Sequence, residues 1–250
     1  MDTRYWGPSG WRLLHFISFA PKVTPAICEF FNTIPYILPC KFCRKSLSEY
    51  MIEDPVECNK KGLGKWLWRI HNDVNAKLRT QRVNVTPDPT FAAVETTYLE
   101  RMAMGCMKTH FEGWEFLFSV AEAHPFSRAG RASVPISGHP PLEDLKTPLE
   151  RNRWNVMEAD ERIKYYNRFW ELLPAVLPFS EWRRSWRSAA GEHKCREDCL
   201  KNLWGIRRHM EKSLELLNRT TYYSLCKELR NNRSGCTRST RSRTCRRERV

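Results

Sequence analysis

Apolar residues recur at three- and four-residue intervals through most of this chain, the period of amphipathic helices, and no stretch shows a convincing period of two. The first run covers residues 9–19, with Trp11, Leu14, His15 and Ser18 on one face and Pro21 closing it. Thr24-Pro25 reads as a cap followed by a first-turn proline, opening a helix with Ile27, Phe30, Phe31 and Ile34 that reaches Pro35. A third helix begins at Pro39 or Cys40, turns Cys40, Cys43, Leu47, Tyr50 and Met51 inward, and stops at Asp54-Pro55. A glycine-containing break precedes the run 65–78, where Leu67, Ile70, His71, Val74 and Leu78 share a side. Asp88-Pro89 opens a helix through Phe91, Val94 and Leu99 to Gly105, and residues 111–123 form another. The fold class expected from this pattern is all-α, a small bundle over residues 1–125.

Residues 126–148, rich in Ser, Gly and Pro, read as a linker. Beyond them, 154–173, 180–190, 197–217 and 222–229 are helical by pattern, giving a second helical region over 149–229. Its aromatics, Trp154, Tyr165, Phe169, Trp170, Trp182, Trp186 and Trp204, are expected to form a modest core. Residues 230–250 read as a basic, poorly hydrophobic tail that is expected to be disordered. Charge sharpens the contrast: of the net +14, residues 1–125 contribute 15 Lys and Arg against 13 Asp and Glu, and the remainder 27 against 15. A solvated tail is the plain reading of that excess, and contact with nucleic acid or another acidic surface is the alternative. No apolar run reaches the length of a membrane span, and the N-terminus lacks a secretory apolar core, so a soluble protein outside the classical secretory route is expected.

Ten cysteines in such a chain point to reduced thiols, metal ligands or redox chemistry. Cys40 and Cys43, after Pro39, form a Cys-x-x-Cys set whose i, i+3 spacing puts both sulfurs on one helical face. At a helix N-terminus the thiolate of Cys40 is favoured, which suits a redox pair. The same spacing is also half of a zinc site. His15, taken alone, reads as a core histidine on an apolar stripe. His71 and Asn75, one turn apart beside that stripe, with Asn72 and Lys77 flanking, need polar partners that a ligand between helices would supply.

The ordered set Trp6-Gly7-x-x-x-Trp11-x-x-Leu14-His15, then Pro39-Cys40-x-x-Cys43, then His71-Asn72-x-Val74-Asn75-x-Lys77-Leu78 resembles the Erv/ALR family of FAD-linked sulfhydryl oxidases over about residues 1–105. The resemblance implies a bundle of about five helices clasping FAD. It also implies that Gly7, Trp11 and His15 line the cofactor from one side, and His71, Asn72, Asn75 and Lys77 from the other. It makes Cys40 the sulfur attacked by a protein thiol substrate and Cys43 the flavin-proximal one, with O2 as the electron acceptor and H2O2 as product. A homodimer follows from the same likeness. The implied setting is the cytoplasm of a cell infected by a large DNA virus, or the virion, with the mitochondrial intermembrane space as the alternative.

The sequence departs from the family pattern in two respects. Trp68 and Val85 stand where many members carry a structural disulfide, and Leu38 replaces the usual aromatic before the Pro-Cys pair. The family's shuttle cysteines have two candidate pairs here, Cys236 with Cys245 in the tail and Cys195 with Cys199 at a helix head. Cys28, Cys58, Cys106 and Cys226 show no evident partner and are expected to be buried or idle thiols. The rival to an oxidase is a zinc-stabilised helical nucleic-acid-binding protein using Cys40, Cys43, Cys195 and Cys199; a thioredoxin-like exchanger would need a βαβ pattern that is missing.

Overall fold

The computed structural model describes residues 1–106, 110–127, 130, 134–191, 193–216 and 220–233. Among them are eleven α-helices and no strand, the all-α class expected. Cys236, Cys245 and most of the basic tail lie outside the described residues.

Helix α1 (Thr3–Ser18) starts ahead of the expected Ser9 because Asp2 caps it, accepting from the Arg4 N–H at 2.9 Å. Pro8 inside it removes one backbone donor, and burial of Trp6 in the same stretch anchors the extra turns. Helix α2 (Pro25–Ile37) is capped by Thr24 and buries Ile27, Phe30, Phe31, Ile34 and Ile37. Leu38 is extended, as a residue before proline is steered to be, which ends α2 and sets up α3 (Lys41–Glu53) with Cys40 at its N-cap. Helix α4 (Gly62–Thr80) crosses close to α1; a Cβ on Gly64 would lie 2.7 Å from the Phe19 ring. Helices α5 (Phe91–Ala103) and α6 (Trp114–Glu122) complete the first half.

In the second half, the helix expected over 154–173 starts only at Ala159, as α8 (Ala159–Val176), and a short helix that was not expected, α7 (Pro148–Arg153), precedes it. Asn155 lies between them with φ +56°, a left-handed conformation that asparagine tolerates better than most residues. Helices α9 (Ser180–Ala189), α10 (Arg196–Ser213) and α11 (Tyr222–Asn231) follow. The span 126–148, read as a linker, contains a short 3-10 turn at Leu142–Asp144 and the buried Ile136 and Leu145.

One hydrophobic core runs through both halves. Helix α8 lies along α2, with Phe169 stacked on Phe30 at 5.2 Å and Tyr165 on Tyr36 at 3.8 Å. Trp182 of α9 meets Phe111 edge-on at 4.8 Å, and Trp186 stacks near Trp114. Phe169, Trp170, Trp182 and Trp186 are buried as expected, while Trp154, Tyr165 and Trp204 are half-buried at the margin.

Cys28 and Cys58, read as partnerless, are joined in a disulfide with Cα atoms 5.5 Å apart. It ties the start of α2 to the loop before α4, with α3 in the enclosed stretch. Trp68 donates its indole N–H to the Pro89 carbonyl at 2.9 Å and meets Phe91 edge-on. Closing a loop of 30 residues is worth about 3–4 kcal/mol. The Cys28→Ser/Cys58→Ser double variant is therefore expected to melt roughly 10 °C lower than the parent in a thermal scan without reductant.

Candidate redox and cofactor site

Helices α1 and α4 face each other across a cavity of about 1230 Å³ that reaches the head of α3. Gly7, Trp11 and His15 line it from α1, His71, Asn75 and Lys77 from α4, and Cys40 and Cys43 from the end. Eight of the nine residues named from sequence thus converge on one space. Asn72 does not line it: it sits one residue round the helix from His71, off the face that His71, Val74 and Asn75 share.

Trp11 and His71 stack face to face, 4.0 Å between centroids and 11° between planes. His71 Nδ1 is 3.2 Å from His15 Nε2, so one ring donates and the other accepts. Tyr98 covers the far side of His15, stacked at 5.2 Å. Burial pushes both imidazoles down, His15 to about 3 with help from its neighbour His71, and His71 to about 4 although Asp88 pulls the other way. Both rings are therefore neutral at physiological pH. Asn75 donates to Asp88 at 2.7 Å, and Asp88 is itself held by Arg79, whose bond keeps its carboxyl below the usual range. The Lys77 ammonium donates to the Ser46 hydroxyl.

Several observations fit a large, flat, partly polar ligand. Trp6 Nε1, His15 Nδ1 and Gln81 Oε1 are buried in the lining with no hydrogen-bond partner, and buried polar atoms are normally satisfied. A Cβ added at Gly7 would meet nothing within 4 Å, so α1 presents bare backbone to the cavity there. Leu38 lines the space, while Tyr36 turns away onto Tyr165.

Cys40 and Cys43 are half-buried at the start of α3, where the Cys43 and Arg44 N–H groups bond back to the Cys40 carbonyl at 3.1 and 3.0 Å. The positive end of α3 favours thiolate there, and the Met1 ammonium donates to the Pro39 carbonyl at 3.3 Å. The zinc alternative is not assembled: among the described residues no three His, Cys, Asp or Glu side chains gather as a metal site. The Cys195 thiol bonds Asp198 at 3.1 Å, and Cys199 is buried, accepts from Tyr166 at 3.4 Å and has its thiol pushed up to about 12 by burial. Ser46, Asp88, Gln81 and Tyr98 were missed by sequence reasoning; Asp88 stood out there as a helix opener before Pro89, and the others carried no signal.

In this helical bundle a thiol pair opens onto an aromatic-walled cavity. Residues 8–96 match the model of the Erv1/Alr family. The chain is 33% identical over 85 residues to the mitochondrial FAD-linked sulfhydryl oxidase of Saccharomyces cerevisiae, covering 31% of this chain and 45% of that one. It is 31% identical over 107 residues to a protein named probable FAD-linked sulfhydryl oxidase of Acanthamoeba polyphaga mimivirus, covering 39% of this chain and 73% of the relative. The chain belongs to the Erv1/Alr family. It spans under half the length of the yeast relative, and no solved structure matches it.

The two neutral histidines make stability depend on pH. Their folded pKa values lie below the ~6.5 of a free imidazole, so as pH falls below that value the unfolded chain takes up protons that the folded chain refuses. Their contribution is whole above about pH 6.5 and is lost towards pH 4. Urea titrations are expected to show unfolding free energy falling over that window, and His71→Asn is expected to flatten the slope by up to about one proton.

Proposed function

We propose that this protein is an FAD-dependent sulfhydryl oxidase that converts protein dithiols to disulfides. The observation that carries the reading is the convergence of Cys40 and Cys43 with Trp11, His15 and His71 on one cavity. Gly7, Trp11 and His15 from α1, and His71, Asn75 and Lys77 from α4, would hold the flavin. When bound, FAD supplies an acceptor for the electron pair from the reduced cysteines and passes it to O2, giving H2O2.

The chain's own steps are thiol–disulfide exchange. A substrate thiolate attacks Cys40 Sγ, the Cys40–Cys43 bond breaks, and Cys43 leaves as a thiolate towards the cavity. The second substrate thiolate then displaces Cys40 from the mixed disulfide, releasing the substrate disulfide and leaving two electrons on the pair. The N-terminal end of α3 stabilises both leaving thiolates, and the imidazoles of His15 and His71 add no charge to the wall.

Relay of electrons to Cys40 fits the tail pair better than the helix pair. Cys199 is buried with a suppressed thiolate. Arg233, the last described residue, lines the same cavity as Cys40, and Cys236 follows three residues later, a reach of about 10 Å. Among the described residues no helix is long and apolar enough to cross a membrane. The mimivirus relative favours a role in disulfide formation for virion proteins in an infected cell; the mitochondrial yeast relative supports the intermembrane-space alternative. A homodimer remains part of the proposal on family grounds.

Purified protein is expected to be yellow. Cys40→Ser and Cys43→Ser are each expected to abolish oxygen consumption with a dithiol substrate while retaining the flavin, measured by oxygen electrode and absorption spectrum. Full activity in either variant would refute the assignment.

A further inference from the structure

One buried charge beside the cysteine pair has no part in the exchange steps. Arg44 follows Cys43 directly in the first turn of α3 and is only 4% exposed. Its guanidinium donates to two neutral acceptors, the Leu38 carbonyl at 3.0 Å and Asn155 Oδ1 at 2.7 Å, and its Nε has no partner. Among the described residues no carboxylate is ion-paired with it. A second buried guanidinium, Arg162 of α8, donates to the Gly130 carbonyl and repels Arg44. Burying a guanidinium without a counter-ion costs several kcal/mol, and the groups whose negative charge would offset it are the sulfurs of Cys40 and Cys43.

Asn155 fixes this arrangement from the second half. Its left-handed backbone aims the side chain so that the carbonyl accepts from Arg44 and the amide donates to the Val134 carbonyl at 2.9 Å. One turn earlier, Asn152 donates to the Pro35 carbonyl at 3.0 Å and to Ser48 Oγ at 2.9 Å, fastening α7 to α3.

We propose that Arg44, held by Asn155, is a positioning residue that stabilises the thiolate of the reduced Cys40–Cys43 pair and so makes its disulfide a stronger oxidant. The inference rests on the redox role given to the pair under Proposed function. Stabilising the reduced form raises the potential of a dithiol–disulfide couple; the electrons still come from the substrate dithiol and the atoms exchanged are unchanged. The other charges at this end are less suited. The Met1 ammonium is spent on the Pro39 carbonyl, Lys41 on the Val134 carbonyl, and Lys77 on Ser46. Asp2 is paired with Arg4, Glu49 with Lys45 and Arg153, and His71 is neutral.

The full chain is equilibrated in glutathione redox buffers and the oxidised fraction of the pair is read by acid quench, alkylation and mass spectrometry. The pH dependence of alkylation of the reduced protein is measured alongside. Arg44→Met is expected to shift the equilibrium about tenfold towards the disulfide, about 30 mV for this two-electron couple, and to move the alkylation midpoint to higher pH. Arg44→Lys, which keeps the charge, is expected to stay near the parent. Asn155→Gly takes the same backbone without strain and is expected to move both readouts in the direction of Arg44→Met; it decides the question if the methionine variant fails to fold by circular dichroism. No shift in either readout for the folded variant overturns the inference. A parent pair that forms no reversible disulfide with glutathione overturns the redox reading itself, so the two failures are separable.

Discussion

Two sulfurs three residues apart can serve as a redox pair only while the turn that carries them keeps its shape, and here that turn is tied to distant parts of the chain. Pro39 forces Leu38 to be extended and ends α2, which leaves Cys40 as the N-cap of α3. The carbonyls exposed by that kink are then used: Pro35 accepts from Asn152, Leu38 from Arg44, and Pro39 from the Met1 ammonium. Both the N-terminus and the α7–α8 junction thus converge on one tight bend. Removing any single tie would leave a buried backbone oxygen unsatisfied, which costs about 1–3 kcal/mol.

The packing of α8 along α2 makes these ties possible. The Phe30–Phe169 and Tyr36–Tyr165 stacks fix the second half against the helix that leads into the bend, and from there Asn152 and Asn155 reach α3. On the other side of α3, α1 and α4 are spaced by the Gly64–Phe19 approach and by the Trp11–His71 stack. The cavity is thus walled by flat rings, with the sulfurs at one end. Its histidines are neutral because burial in that wall outweighs the carboxylate of Asp88.

The helical period made the first half legible because its helices bury one face each and are punctuated by proline. The three motifs carried the site: Gly7, Trp11, His15, Cys40, Cys43, His71, Asn75 and Lys77 all reach the cavity. Asn72 did not, because adjacency in a motif does not mean a shared helical face. The late start of α8 was invisible because the amphipathic pattern already begins at Trp154, whereas Asn155 is held out of the helix in a left-handed conformation in which its Oδ1 accepts a long-range bond from Arg44. The Cys28–Cys58 bridge was hidden for a related reason: with ten cysteines, spacing alone cannot select a pair 30 residues apart.

The boundary of the family match and the boundary of the site do not coincide. The match ends at residue 96, yet Val134, Asn152 and Asn155 bond directly to α3 or to residues bonded to it. The bonds that hold the cysteine-bearing turn therefore come in part from chain beyond the residues of that match. Arg44 would be a costly residue without Asn155, since its second acceptor would be lost and a guanidinium bonded only to the Leu38 carbonyl would remain buried. Equally, Asn155 would have little reason to hold a left-handed backbone without Arg44 and Val134 to bond. The two residues make sense only together, and that mutual dependence joins the second half of the chain to the chemistry of the first.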